Sequence, residues 1–354
     1  MGRVADTAAS VGAMVAVPVQ SAAMEMNRRA TIVDIASAVG VSRQTVSRAM
    51  NDMPGIRAQT KERVLEAART LGYRPSRFGR GLVKRGQQTV GLMVNNLTNP
   101  YFPELAAAVV ASAARLDWSV VLLDTSLIDD QRALLTALAP QIDALLGYVS
   151  LSRRELEPIL PGVPVIGIDA GFQQGGPNWG GVEFDLAPGV REAVAHLLSR
   201  GVKRPLVLDS SEVGAPMTGR ARLIADEWRA SGIEVALVQT GRDDVNSAAE
   251  STASNLDLVR RADAIMAFND YSAFGAMKTM HRNGIRVPED VRLVGIDGLA
   301  AGTYTIPELT TLGVDMSEAA EAAMSVARSL LDPEQPSTGR WLRVRHRLIL
   351  RESA

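Results

Sequence analysis

The densest run of chemistry-bearing side chains is Ser42-Arg43-Gln44-Thr45-Val46-Ser47-Arg48-Ala49-Met50-Asn51. Written as a helix, it puts Val46 and Met50 on one face at a spacing of four, and guanidinium, carboxamide and hydroxyl groups elsewhere. A guanidinium can bond two acceptors on a guanine edge, and a carboxamide can pair with an adenine edge. Arg43 and Gln44 stand at the N-terminal end, the end of a recognition helix that meets base edges in a major groove. Thr45, Ser47, Arg48 and Asn51 suit phosphate oxygens or further bases.

The charge distribution fits that chemistry. The 354 residues hold 38 Lys and Arg against 39 Asp and Glu, a net of −1. Residues 27–85 alone hold 13 basic against 4 acidic residues, and residues 86–354 hold 24 against 33. A basic module on an acidic body is the footprint of a protein that docks on a polyphosphate. The chain has no Cys, which excludes disulfides, thiolate nucleophiles and Cys-ligated metal. Its three His, at 196, 281 and 346, are too scattered for a metal site, so no metal and no cofactor are expected. No apolar run approaches the ~18 residues of a membrane span. There is no Gly-x-Gly-x-x-Gly after a strand, no phosphate loop ending in Gly-Lys-Ser/Thr and no plausible Ser–His–Asp set, so nothing supports an enzyme.

The elements that must position these residues follow from periodicity. Thr31 can cap a helix carrying Ile32, Val33, Ile35, Ala36 and Val39, stopped by Gly40. Ser42 can cap a second helix, and Val64, Leu65, Ala68 and Leu71 mark a third that ends at Gly72. Two helices joined at Gly40-Val41 form a helix-turn-helix. Pro75 ends this module, a short basic segment follows, and from Thr89 apolar strand-like runs alternate with amphipathic helices. The runs at Val90–Val94, Val120–Asp124, Ala144–Val149, Val163–Asp169, Leu206–Leu208, Val235–Val238, Ala264–Phe268 and Val291–Ile296 predict a parallel α/β body. At about 265 residues, the body is expected to form two similar halves.

These pieces, taken in order, resemble the LacI/GalR family of bacterial transcription repressors. The resemblance rests on Thr31-Ile32-Val33-Asp34-Ile35-Ala36, Val41 through Arg48, Leu71-Gly72-Tyr73-Arg74-Pro75, Asn99-Pro100-Tyr101-Phe102, Phe268-Asn269-Asp270, the stretch Gly284 to Val291, Gly295-Ile296-Asp297 and Pro307-Glu308-Leu309-Thr310-Thr311. It implies a small all-α helix-turn-helix DNA-binding domain joined to an α/β two-lobe, periplasmic-binding-protein-like (type I) domain. Arg43 and Gln44 match the family's base readers. Thr31, Ser42, Thr45, Ser47, Arg48, Asn51, Arg57, Tyr73 and Arg77 match further DNA contacts. Ser76–Lys84 matches a hinge helix that folds on operator DNA, with Leu82 as its minor-groove wedge. In the body, Tyr101 and Phe102 after the first strand, Ser150, Arg220 ahead of a helix, and Asn269, Asp270 and Asp297 at strand ends match effector-binding positions. An Asp in the place of Asp270 can equally cap the helix it begins.

The resemblance further implies a homodimer on double-stranded operator DNA, a sugar-like effector between the lobes, a cytoplasmic location and no membrane. The end of the chain lacks a leucine-heptad tail, which favours a dimer over a tetramer. Expected boundaries are a disordered extension at 1–26, the helix-turn-helix domain at 27–75, the hinge at 76–86 and the effector domain at 87–354. Within the last, an N-lobe takes about 87–185 and 316–340, and a C-lobe about 186–312 and 341–354. Several features depart from the family pattern: Gly79 and Gly81 in the hinge, Arg57 where a capping Ser is common, no acid near Ser150, no stacking aromatic in Thr240–Asp244, and Gly298 where an acid or Asn usually follows the Asp at 297. A solute receptor built on the same two-lobe body is the competing reading; the basic head counts against it, and the apolar stretch Val11–Val19, preceded by Asp6 and interrupted by Pro18, makes a poor secretion signal.

Overall fold

The computed structural model describes residues 31–50, 53, 55–71, 87–169, 176, 178–332, 334 and 339–354. Asn51, Tyr73, Arg77, Leu82, the expected hinge at 76–86 and the extension at 1–26 lie outside these residues. Contacts divide the chain into two compact units, 1–75 and 76–354.

The first unit contains α1 (Ile32–Val39), α2 (Arg43–Met50) and α3 (Ala58–Thr70). Thr31 and Asp34 close a reciprocal capping box at the start of α1. Gly40, at φ +72°, ends α1 in the left-handed region that glycine enters freely. Ile35, Val39, Val46, Ala49, Val64 and Ala68 are buried at the centre. Met50, expected inside with Val46, is half-buried against that cluster while Ala49 is the residue enclosed. Arg63 of α3 donates to the Val39 carbonyl at 2.9 Å, satisfying an orphan acceptor at the end of α1 and fixing the turn.

The second unit holds two six-stranded sheets. The first contains β1 (Thr89–Val94), β2 (Ser119–Asp124), β3 (Ala144–Gly147), β4 (Val165–Ile168), β5 (Trp179–Asp185) and β11 (Trp341–Arg345), in the order β11-β5-β4-β3-β1-β2, all parallel. Helices α4 (Tyr101–Arg115) and α12 (Met316–Leu331) pack together and cover one face of this sheet; the other face is closed by a cluster that includes Leu135 and Leu138 of α5 (Gln131–Leu138) and Leu156 of α6 (Arg153–Leu156). The second sheet contains β6 (Pro205–Asp209), β7 (Ala236–Gln239), β8 (Ala264–Ala267), β9 (Arg292–Asp297), β10 (Thr310–Gly313) and β12 (Arg347–Ile349), in the order β12-β10-β9-β8-β6-β7. Only β12 runs antiparallel. Its helices are α7 (Ala187–Ser199), α8 (Gly219–Ala230), α9 (Val245–Ser254), α10 (Leu256–Arg261) and α11 (Asp270–Arg282).

Among the described residues the chain passes between the sheets three times: at Leu186, at Val314-Asp315 and at His346. The third passage lies later than the sequence reading put it. Residues 341–345 were expected in the C-lobe, but β11 pairs with β5 from Trp341↔Gly181 to Arg345↔Asp185. The run from Trp341 to Ile349 has no Gly or Pro to mark a boundary, and a single residue separates its two strands. Among the described residues no helix is long and apolar enough to cross a membrane.

Candidate functional site

On the helical unit, Ser42, Arg43, Gln44, Arg48 and Arg57 are exposed, and Thr45 and Ser47 are half-buried. The Ser42 hydroxyl accepts from the Thr45 N–H at 3.0 Å and lies 2.8 Å from the Thr45 hydroxyl, so it caps α2 and fixes where the helix begins. Arg43 and Gln44 are therefore the first two helical residues, turned to solvent at the end with unpaired backbone N–H groups. The Thr31 hydroxyl is engaged within its capping box. Arg57 precedes α3 without a side-chain cap bond, as expected from the loss of a Ser there.

In the second unit, both sheets direct strand C-terminal ends toward one interlobe cleft, the place where open α/β sheets hold ligands. Arg220 is set by a local chain of bonds. Buried Asp209, at the end of β6, accepts from the Thr218 hydroxyl at 2.6 Å and from the Thr218 N–H at 3.0 Å. Thr218 in turn caps α8, which puts Arg220 second in that helix. Its guanidinium donates to the Phe268 carbonyl at 3.2 Å and to Asp297 at 3.5 Å, and lies 4.9 Å over the Phe268 ring. Burial pushes the Asp297 carboxyl well above the usual carboxylate range, opposed by Arg220. Arg220 opens onto a cavity of about 330 Å³, lined also by Asp169, Glu183, Phe184, Asp185, Arg343 and His346. The walls come from the first sheet, from α7 and α8 of the second lobe, and from two of the three crossings, Leu186 and His346.

Asp297 is held at φ +132° and is followed by Gly298 at φ +78°. A Cβ at Gly298 would stand 2.6 Å from the Gly313 Cα. The glycine that departs from the family pattern is thus required by close approach of β10.

Tyr101 and Phe102 form an aromatic cluster with Tyr148, a residue the sequence reading did not single out. The Tyr101 and Tyr148 hydroxyls are 2.6 Å apart, and Phe102 meets each ring edge-on at 5.2 and 5.3 Å. Burial raises both phenols above their usual value, and both respond to the charges of Asp169 and Arg220. The cluster therefore adjoins the charged cleft on the first-sheet side. Ser150 stands elsewhere: its hydroxyl donates to Gln131 at 2.9 Å, and it does not line the cavity.

Asn269 and Asp270 also make structural bonds. Asn269 caps α11 through the Ser272 N–H and donates to the Asp243 carbonyl at 3.1 Å. Asp270 is fully buried and accepts from the Leu299 N–H at 2.8 Å and the Thr311 hydroxyl at 2.6 Å, tying α11 to the loop after β9 and to β10. A Cβ at Gly295 would fall 2.1 Å from its carboxylate. Burial pushes Asp270 up to about 6.

His346, at the third crossing, is 5% exposed and edge-on to Phe184 at 6.1 Å. Burial and Arg220 hold its imidazole down at about 4, so the native state keeps it neutral. A His depressed from 6.5 contributes stability that is complete above pH 6.5 and lost as pH falls through about 4, here on the order of 3 kcal/mol. His346→Gln, neutral at every pH, removes that contribution. Urea unfolding should show wild type losing its advantage over the variant between pH 6.5 and 4. A constant difference across that window contradicts the assignment.

Residues 31–76 match the model of bacterial regulatory proteins of the lacI family, and residues 194–354 match a periplasmic binding protein-like domain. The chain is 32% identical over 286 residues to the ribose operon repressor of Halalkalibacterium halodurans, covering 80% of this chain and 84% of that one. Among solved structures, a LacI family transcriptional regulator from Arthrobacter sp. FB24 in complex with lactose is 32% identical, with a TM-score of 0.68 over 76% of this chain and 100% of the other. The lac repressor dimer bound to operator and the anti-inducer ONPF is 25% identical, with a TM-score of 0.63 over 92% of this chain and 99% of the other.

Proposed function

The chain belongs to the lacI family of bacterial regulatory proteins, DNA-binding transcription regulators under allosteric control, and from that premise we propose that it is a cytoplasmic homodimeric repressor answering to a sugar. The observation that carries the reading is the origin of the cavity walls. Arg220 comes from the second lobe, Asp169 and Arg343 from the first, and His346 from the crossing between β11 and β12. A molecule held there touches both lobes, so its binding free energy differs between lobe arrangements, and that difference is what an effector uses to shift an equilibrium. The ribose repressor and the lactose complex support a sugar as the effector.

The DNA contacts this reading assigns among the described residues are Thr31, Ser42, Arg43, Gln44, Thr45, Ser47, Arg48 and Arg57. Two copies related by a two-fold axis would place two recognition helices one DNA turn apart. Exposed apolar side chains suited to such a partner occur in each lobe: Val110 and Leu122 in the first, Tyr304 and Ile306 in the second. The relatives are transcription regulators, and we assign no residue a catalytic role.

The test is to bind the purified protein to sheared genomic DNA of its source, sequence what is retained, and titrate sugars against the recovered site. The expected result is a short palindrome whose retention changes with one sugar. Binding with no shared sequence and steep salt dependence would leave a polyanion patch on a solute receptor.

A further inference from the structure

The cleft shows an imbalance of charge that bears on the chemistry of its ligand. Among the described residues, four carboxylates face or back the cavity, Asp169, Glu183, Asp185 and Asp297, against two guanidinium groups, Arg220 and Arg343. Neither cation is unspent. Arg343 gives its Nε and a terminal nitrogen to Glu183 at 3.0 and 2.9 Å, and Arg220 is divided among the Phe268 carbonyl, the Phe268 ring and Asp297. Asp169 turns out of the end of β4 at φ +53° to face Arg220 and the Phe184 N–H. The third candidate cation, His346, is held neutral.

We propose that this cleft binds an uncharged polyol and discriminates against the phosphorylated or carboxylated forms of the same carbon skeleton. The inference rests on the sugar reading above. Hydroxyl groups donate to carboxylates, and the aligned acids offer acceptors without demanding a counter-charge. A phosphate entering the same space gives up water, meets the Asp169 and Asp185 carboxylates, and finds each guanidinium already neutralised. A site for an anion needs the reverse arrangement, an Arg free to make a bidentate bond.

The experiment is a matched panel on the full-length protein: D-ribose with D-ribose 5-phosphate, D-glucose with glucose 6-phosphate, glucuronate and glucosamine, and lactose with lactobionate. Thermal shift finds the binding skeleton, and calorimetry then gives Kd for its charged and uncharged forms. The expected result is a neutral sugar whose anionic counterpart binds at least about 30-fold more weakly, a ratio set by one like charge at ~8 Å in a partly screened site. The Kd of the neutral form should not change between low and high salt. Asp169→Asn keeps a residue that tolerates the left-handed backbone and, by removing one like charge, should narrow the gap by a comparable factor, about 30-fold. An anionic form binding as tightly as the neutral one, or glucosamine binding alone, overturns the charge inference and leaves the sugar reading standing. Binding by no sugar of either kind overturns both.

Discussion

In the Arg220→Ala protein, operator affinity should no longer change with effector, and about 3–5 kcal/mol of stability should be lost. The reason is what remains behind. Asp297 is 6% exposed and sits at a strained φ, with Arg220 as its one basic partner among the described residues. Removing one member of a buried pair leaves the other charge without compensation. The contact over the Phe268 ring goes as well. Burial already raises the Asp297 carboxyl, and without Arg220 the rise is larger, so the residue escapes its cost by taking a proton. A raised carboxyl favours the folded state at low pH and loses that benefit as pH rises through its folded value. The deficit of Arg220→Ala in urea unfolding should therefore grow as pH rises above the usual carboxylate range. Adding Asp297→Asn, which cannot ionise, should return part of the stability and remove that pH dependence, a coupling that a double-mutant cycle measures directly. Operator binding in the absence of effector should persist, because the helical head is a compact unit with its own core. A deficit below about 1 kcal/mol with an intact effector response would mean that Arg220 is one exposed contact among many.

The elements that carry Arg220 and Asp297 were readable from sequence because they follow strong patterns: the apolar run of β6 followed by the amphipathic α8, and the apolar run of β9. What escaped was set by backbone geometry. The run Ala144–Val149 looked like one strand, which made Ser150 the residue emerging from its end. The strand stops at Gly147, whose φ is +119° and whose Cβ would sit 2.0 Å from the Met93 carbonyl. The emerging residue is consequently Tyr148. Asp169 was read as the last residue of its strand; one turn of backbone to positive φ makes it the first residue of the cleft instead. The strand Trp179–Asp185 was hidden by Gly180 and Gly181, which in isolation signal a turn. Here they admit close neighbours: a Cβ at Gly181 would lie 2.4 Å from the Trp341 ring. That contact is nonlocal, so only the pairing of β5 with β11 reveals it. Asn269 and Asp270 illustrate the converse. Their types and positions suit a ligand, and only the partners, Ser272, Asp243, Leu299 and Thr311, show that the same polar atoms also hold the fold.

Arg43→Ala should weaken operator binding by about 2–6 kcal/mol and relax the preference at one base pair of each half-site, with folding unchanged. A bidentate guanidinium–guanine contact is worth about 1–3 kcal/mol of discrimination, and a symmetric dimer uses it twice. The head is built to hold Arg43 still: Ser42 caps α2, Gly40 closes α1, and Arg63 locks the intervening turn through the Val39 carbonyl. Arg43 itself is exposed, and alanine is the strongest helix former, so the substitution leaves α2 intact. Arg57→Ala is the control that separates reading from docking. Arg57 makes no side-chain cap bond, so its loss costs the fold nothing there, and its charge suits a phosphate. That variant should lose affinity equally on operator and random duplex and lower the salt slope by about 1 per head. Fluorescence anisotropy on both duplexes at two salt concentrations distinguishes the two. If Arg43→Ala also weakened both duplexes by the same factor, Arg43 would be a phosphate contact and the sequence would be read by other residues of α2, with Gln44 the next to test.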